Sequence, residues 1–203
     1  MIEAKTLRID ILDWWHCGTG IGGGFADARI DRDPEGLPCV PGRHLKGILR
    51  DAARRAEGWG ALPGGSVEEL FGGDPAETEE LDPKAPKPRP EPGALRVSTA
   101  RLAPQVRARL RRDPRLRAVL TALFAQTAVD PATGTAREKH LRRIEVTVPL
   151  ELFAELRWIG TEEHALADRW PQLLADAVFP LVFALGADRT RGLGRVELSW
   201  VEG

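Results

Sequence analysis

Residues 36–52 of the chain read GLPCVPGRHLKGILRDA. A loop broken by prolines ends at Pro41, and the apolar residues after it recur at the three- and four-residue spacing of an amphipathic helix. This spacing predicts a helix from about Val40 to Glu57, with one face packed on the rest of the domain. The apolar stripe consists of Leu45, Ile48, Leu49, Ala52 and Ala53.

The basic residues of this helix, Arg43, Lys46 and Arg50, share its other face. A helix N-terminus carries a partial positive charge, and together with basic side chains it can bind a polyanion. Gly47 weakens the helix by about 1 kcal/mol relative to alanine, which predicts that another backbone passes close to it. The segment therefore indicates a phosphate-binding helix, although a solvated helix face would give the same pattern.

A strand and a glycine run precede the helix. Residues 6–14, TLRIDILDW, alternate apolar and polar side chains with period two, which predicts a half-buried strand. Residues 18–24 are rich in glycine and contain a G-x-G-x-x-G pattern, but dinucleotide binding requires a helix to begin within that pattern. The next predicted helix begins near Pro41. We therefore interpret the glycines as a flexible turn or a site of close backbone approach to a ligand.

The rest of the chain predicts a single α+β domain over residues 1–203. Residues 58–93 are rich in proline, glycine and acidic residues, which predicts a solvated loop insertion. Further predicted elements are a strand at 94–102, one or two helices at 104–124, turns at 127–140, strands at 141–148 and 151–159, a helix at about 170–184 and a strand at 195–201. This order is typical of a ferredoxin-like βαββαβ core.

The formal net charge of −1 conceals an uneven distribution. Acidic residues are concentrated in residues 68–91, whereas arginines are concentrated elsewhere. Salt screens charges more than about 10 Å apart, so local clusters matter more than net charge for phosphate contact. The arginine-rich stretches are residues 43–55, 96–117, 137–143 and 189–195.

Cysteine usage and hydropathy narrow the class of protein. Cys17 and Cys39 lack CxxC spacing, which predicts a reducing, cytoplasmic setting with neither a disulfide framework nor a cysteine zinc site. No apolar run approaches the roughly 18 residues of a membrane span, and the first residues lack a signal-peptide core. We therefore expect no membrane partner.

Residues 186–195, GADRTRGLGR, predict a glycine- and arginine-rich turn before the last strand. Backbone N–H groups and guanidinium groups in one turn can both bind phosphate oxygens, although an ordinary basic turn has the same composition. The candidate RNA-binding residues here are Arg189, Arg191, Gly192, Gly194 and Arg195.

Three segments in this order resemble the RAMP superfamily, the repeat-associated proteins of CRISPR effector complexes. They are GLPCVPGRHLKGILRDA (36–52), AVDPATGTAREKHLRRIEV (128–146) and GADRTRGLGRVEL (186–198). With the glycine run they cover residues 18–198. The resemblance is strongest to the type III backbone subunits that polymerise along the guide RNA.

The resemblance implies an RNA-recognition-motif-like core with a protruding thumb hairpin, which would be residues 127–143. Arg137 and Lys139 near its tip would contact RNA, as would Arg43, His44, Lys46 and Arg50 and the terminal turn. The implied partners are the CRISPR guide RNA, a target RNA, and other effector subunits including copies or paralogues of this chain. The implied role is antiviral defence.

The resemblance also implies a nuclease site. In catalytic members of the family, an aspartate lies in the loop before the LP-x-x-PG motif, six residues upstream of the Asp of an Arg-Asp-Pro triplet. The triplet here is residues 32–34, which implies Asp27 as the catalytic residue and as a ligand of Mg²⁺ in target-RNA cleavage. The surrounding loop is unusually charged, so Asp31 is a rival catalytic residue. Loop aspartates are also common turn formers.

Two other functions remain open. The chain could be a non-catalytic RNA-binding scaffold subunit of the same complex, or a metal-independent ribonuclease that processes guide RNA by histidine acid–base chemistry. For the histidines we favour structural or RNA-contact roles over catalysis. They are His16, His44, His140 and His164.

Overall fold

A computed structural model of the chain describes residues 4–20, 26–73, 91–127, 130, 132–135 and 141–202. The strands are β1 (Lys5–Ile11), β2 (Leu95–Val97), β3 (Thr121–Gln126), β4 (Arg142–Thr147), β5 (Glu151–Trp158) and β6 (Val196–Trp200). The helices are α1 (Gly42–Gly58), α2 (Ser66–Phe71), α3 (Pro104–Arg112), α4 (Pro114–Ala118) and α5 (Trp170–Leu173). A π-helical turn, Leu174–Val178, and a 3₁₀ turn, Phe179–Leu181, continue α5, and a second 3₁₀ turn is Arg189–Arg191. No helix in these ranges is long and apolar enough to cross a membrane.

Four strands form an antiparallel sheet in the order β2-β5-β1-β6. The alternation predicted for the first strand is confirmed, because Leu7, Ile9 and Ile11 are all buried. With α1 after β1 and α5 after β5, the four strands follow the βαββαβ order, and the two strands joined through α1 flank an antiparallel third strand. The predicted α+β, ferredoxin-like core is therefore confirmed.

Helix α1 packs its apolar stripe into the main core beside the segment Leu174–Val178. Its tight contact occurs at its first residue, where a Cβ on Gly42 would overlap the backbone at Val97 and Ser98. The close approach predicted at Gly47 is wrong, because that glycine is exposed and faces open space.

The chain between β2 and β5 contains a separate two-stranded sheet of β3 and β4, paired from Thr121↔Thr147 to Gln126↔Arg142. The prediction of helix through Phe124 is wrong, because α4 ends at Ala118. The run TALFAQ is too short for periodicity to separate strand from helix, and pairing with β4 decides its conformation. Phe124 then packs on Trp14, with ring centroids 5.1 Å apart.

The predicted insertion and the last predicted helix also differ from expectation. Within residues 58–73 the chain forms α2, which buries Val67, Leu70 and Phe71 against the core instead of remaining a solvated loop. Residues 74–90 lie outside the described residues. The last helix ends at Leu181 and not near residue 184, because Pro180 cannot donate a backbone hydrogen bond.

Residues 14–17, which continue from β1, connect several parts of the molecule through their carbonyl groups. The carbonyl of Trp15 accepts from Thr147 of β4, and that of Cys17 accepts from Asp31. The carbonyls of Trp14 and His16 accept from Gly194 and Ala187, in the loop before β6. That loop passes so close that a Cβ on Gly186 would overlap the His16 carbonyl oxygen.

We expect Gly186→Ala to destabilise the fold more than Gly192→Ala. Both glycines have left-handed backbones, with φ of +84° and +83°, so alanine costs about 1–2 kcal/mol of conformational strain at either position. Only at residue 186 does the new methyl group also displace the loop from His16, since Gly192 faces open space. Denaturant unfolding of both variants measures the difference. Equal losses of unfolding free energy would contradict the close approach.

Candidate nucleic-acid interface

An open cleft of about 450 Å³ lies where three segments meet around residues 16–18. The segments are the start of α1, the aspartate loop (residues 26–35) and the terminal loop (residues 186–195). The functional side chains that line the cleft are His16, Asp27, Asp31, Arg43 and His44. The fold therefore brings the two catalytic candidates together with two of the predicted RNA-binding residues.

Asp27 is exposed and fixed to β4 of the β3–β4 hairpin, near the end of the strand that adjoins the connecting loop. Its N–H donates to the carbonyl of Arg143 at 2.8 Å, and its Oδ2 accepts from the N–H of Arg143 at 2.7 Å. A carboxylate has about four acceptor positions, so these contacts orient Asp27 and leave capacity for a ligand.

Asp31 is half-buried between the two cysteines. Its N–H donates to the carbonyl of Cys17, and its carbonyl accepts from the N–H of Cys39. Burial, and then the charge of Asp31, raises the pKa of Cys17 to about 12 and that of Cys39 to about 11. Both thiols are therefore protonated at neutral pH, which makes them poor nucleophiles and poor metal ligands.

The cleft resembles no preformed metal cage. Among the described residues, no group of three or more histidine, cysteine, aspartate and glutamate side chains could hold a metal ion. Magnesium, however, usually binds through one or two carboxylates, with water and substrate phosphate completing its shell. The donor chemistry of Asp27 and Asp31 fits that mode of binding.

Sequence reasoning missed Glu145, a buried carboxylate that holds the aspartate loop. Its Oε2 accepts from the N–H of Ile30 at 3.2 Å, and its Oε1 accepts from the Arg32 guanidinium at 2.8 Å. Glu145 lies on β4 between Ile144 and Val146, where alternation places a charged residue towards solvent. The sequence therefore carries no signal for its burial.

Two histidines line the cleft, and they differ in the hydrogen bonds of their rings. His16 is buried, and its Nδ1 lies 2.6 Å from the carbonyl oxygen of Glu145, so Nδ1 carries the proton and donates it. His44 Nε2 is buried without a hydrogen-bond partner in the described part of the chain. Burial, followed by the charge of Arg189, lowers the pKa of His44, while Asp31 opposes the shift. The lowered pKa favours the neutral imidazole, and its unpaired Nε2 is closed to solvent in this conformation.

One described arginine, on α1, lines the cleft, and another lies beside it on the terminal loop. Arg43 is exposed at the second position of α1 and lines the cleft. Arg189 is exposed on the 3₁₀ turn, close enough to His44 for its charge to lower the pKa of that imidazole. Arg191 on the same turn lies 3.5 Å from Asp188.

The predicted glycines of the terminal loop serve its conformation. Gly192 and Gly194 have positive φ angles of 83° and 75°. The N–H of Gly194 is used, because it donates to the carbonyl of Trp14 at 2.8 Å. A Cβ on Gly194 would also overlap the carbonyl oxygen of Leu185. This N–H is therefore a structural donor, and the prediction that it binds phosphate needs correction.

The structure does not bring every predicted ligand to the cleft. The Lys46 ammonium donates to the carbonyl of Leu95 at 2.9 Å, and burial lowers its pKa. Arg50, one turn further along α1, is not among the lining residues. Arg195 pairs with Asp13 at 3.2 Å beside a different cavity. Arg137 and Lys139 lie outside the described residues.

Comparison with known proteins adds a family and a fold. The sequence model of the RAMP superfamily matches residues 8–197. No curated protein sequence matches the chain. A chain of the type III-B Cmr-beta complex bound to cognate target RNA is 12% identical, with a TM-score of 0.63, and the alignment covers 98% of this chain and 97% of that one.

Two further solved structures are similar. A chain of the type III-B Cmr-beta complex in the apo state is 13% identical, with a TM-score of 0.68 and coverage of 99% of this chain and 98% of that one. A chain of a type IV-B CRISPR complex is 18% identical, with a TM-score of 0.57 and coverage of 98% and 90%. At these identities the likeness concerns the fold. Because the family model spans most of the sequence, this chain belongs to the RAMP superfamily.

Proposed function

We propose that this chain is a guide-RNA-binding backbone subunit of a type III CRISPR effector complex. The observation that carries the proposal is the cleft, which joins Arg43 at the start of α1 to the terminal loop that presents Arg189. A helix N-terminus, one guanidinium group in an open cleft and a second on the loop beside it suit a phosphodiester backbone. Family membership supports this reading, as do similar chains from type III-B complexes, one of them bound to target RNA.

Recognition of this kind is independent of base sequence. Arg43 and Arg189 bind phosphates, and the shape of the cleft follows the RNA backbone, so base pairing between guide and target selects the sequence. A single cleft of about 450 Å³ accommodates only a few nucleotides. Copies or paralogues of the chain arranged along one guide would extend the binding site.

We expect Arg43→Gln combined with Arg189→Gln to weaken guide retention by about 100-fold. Each lost charge-assisted hydrogen bond costs about 1.5–3 kcal/mol, which is roughly tenfold or more. Arg195→Gln is the matched control, since this exposed arginine pairs with Asp13 outside the cleft. The measurement is guide RNA recovered per complex after washes of increasing salt. Equal retention by the double variant and the control would contradict the proposal.

The same subunit is proposed to cleave target RNA through Asp27. In the reaction, a ribose 2′-hydroxyl loses its proton and attacks the adjacent phosphorus to form a 2′,3′-cyclic phosphate, while the bond to the 5′-oxygen of the next nucleotide breaks and that oxygen takes a proton from water. Asp27 accepts hydrogen bonds at the reacting group and, with Asp31, provides the carboxylates that would hold Mg²⁺. A bound magnesium ion would supply charge stabilisation at the phosphate. Glu145 and the N–H of Arg143 keep the aspartate loop in position.

A non-catalytic scaffold is the second candidate, because a specific observation favours it. Asp27 Oδ2 already accepts a backbone hydrogen bond from Arg143, as a purely structural loop aspartate would. The presence of two histidines, His16 and His44, in the lining of the cleft favours a third candidate, a metal-independent ribonuclease that processes guide RNA. The three candidate functions are distinguished by whether RNA cleavage requires a metal ion and by which substitution abolishes it.

We expect Asp27→Asn to abolish cleavage of a labelled complementary RNA by the guide-loaded complex, while target binding stays within about twofold. The amide keeps the size of the side chain but loses the negative charge needed to bind a divalent cation or accept a proton. Wild-type cleavage should require magnesium and stop in EDTA. Asp168→Asn, an exposed carboxylate outside the cleft lining, is the control.

Three results would overturn this assignment. If Asp27→Asn cleaves like the wild type and Asp31→Asn does not, then Asp31 is the catalytic residue. If neither wild type nor variant cleaves although guide and target are both bound, the chain is a scaffold. Cleavage of precursor guide RNA in EDTA that is lost in His16→Ala or His44→Ala would identify the metal-independent ribonuclease.

A further inference from the structure

The surface formed by α3 and α4 carries an excess of positive charge that the cleft does not use. Residues 104–117 contain six arginines and one acidic residue, Asp113, in a chain whose formal net charge is −1. Asp113 itself accepts a hydrogen bond from the backbone N–H of Arg115 at 2.9 Å. Three of the arginines have structural roles, and three others do not.

The structural arginines attach α3 to its surroundings. Arg107 and Arg111 both donate to the carboxylate of Glu35, in the aspartate loop, with Arg111 Nε 2.6 Å from Oε2. Arg117 donates to the carbonyl of Leu110 at 3.0 Å. Helix α3 is therefore fixed beside the loop that carries Asp27 and Asp31.

The remaining three, Arg109, Arg112 and Arg115, form what we call the arginine row. All three are exposed, and their side chains make no hydrogen bond or ion pair with any described residue. Arg109 and Arg112 are three residues apart on α3, so they share a face that lies away from the buried Leu110. Arg115 continues the row at the start of α4.

The arginine row differs from an ordinary solvated helix face. Solvated faces commonly alternate the sign of charge at a spacing of three or four residues, as α1 does where Arg55 lies 3.4 Å from Asp51. Like charges at that spacing destabilise a helix. The C-terminal dipole of α3 offsets this cost for Arg109 and Arg112, but Arg115 is the second residue of α4, where the dipole disfavours a cation.

The arginine row lies on helices that are connected to the aspartate loop of the cleft. Glu35, which binds α3, is four residues from Asp31 in the same loop. At its other end α4 leads directly into β3, which pairs with the strand β4 that holds Asp27 through Arg143. A strand that leaves the cleft past the aspartate loop therefore runs towards α3, whereas Arg43 and Arg189 belong to α1 and the terminal loop.

We propose that the arginine row binds the phosphate backbone of the target RNA outside the cleft, on the side of the aspartate loop. The inference rests on the proposed function, because it requires an RNA strand in the cleft. The row recognises phosphate and not base sequence, so it increases affinity for every target alike and makes that affinity depend on salt.

The test uses the guide-loaded complex and a complementary target RNA. Arg109, Arg112 and Arg115 are replaced together by glutamine, and target affinity is measured over a range of salt concentrations. Each lost phosphate contact on a single strand lowers the slope of log affinity against log salt by about 0.7. We therefore expect the magnitude of this negative slope to decrease by about 2, so that affinity depends less on salt. The affinity at low salt should fall at least tenfold.

The matched control removes the same charge elsewhere. Lys5, Arg96 and Arg169 are exposed, and their side chains likewise lack a described partner. Lys5 and Arg96 lie opposite Leu156 and Arg157, near the end of β5, away from the cleft. Replacing all three by glutamine should leave the salt dependence of target binding unchanged.

The outcomes separate the two proposals. An unchanged slope for the Arg109/Arg112/Arg115 variant, in a complex that retains its guide, overturns the inference and leaves the proposed function intact. A fall in guide retention with unchanged target binding also overturns it, since the row would then hold the guide. Failure of the wild-type complex to retain any guide RNA contradicts the proposed function itself.

Discussion

The structure depends on a short row of backbone carbonyl groups in residues 14–17. Trp14 and His16 accept from the terminal loop, Trp15 accepts from β4, and Cys17 accepts from the N–H of Asp31. Successive residues of one extended segment point their carbonyls in opposite directions, so this segment can hold two loops and a strand at once. Each of these hydrogen bonds is worth only about 1 kcal/mol on its own. Together they hold the terminal loop, the aspartate loop and β4 in fixed positions around the cleft.

This arrangement places positive and negative charges at the same cleft. Arg43 and Arg189 contribute positive charge from α1 and the terminal loop, whereas Asp27 and Asp31 contribute negative charge from the aspartate loop. A surface with only cations would bind RNA without acting on it, and one with only carboxylates would repel phosphate. Buried Glu145 is what keeps the aspartate loop beside the cations, because it binds both the backbone of Ile30 and the guanidinium of Arg32.

The core could be predicted because its sequence signals are local. The alternation of β1 and the apolar stripe of α1 depend on spacing alone, and the structure confirms both.

The residues of the site could be predicted only in part. Spacing placed Lys46 with Arg43, but the edge strand β2 offers Lys46 a carbonyl that no local pattern reveals. Burial of Glu145 and the strand at TALFAQ likewise depend on partners distant in sequence. The helix α2 was missed because its apolar residues occupy less than two turns.

Photocrosslinking of the guide RNA within the assembled complex identifies the residues that contact it. A guide with photoactivatable uridines is bound, irradiated and digested, and the crosslinked peptides are identified by mass spectrometry. The account predicts crosslinks to residues 41–44 and 186–191, the two segments that bring Arg43 and Arg189 to the cleft. Crosslinks confined to the cavity beside Phe183 and Arg195, with none in those two segments, would contradict it.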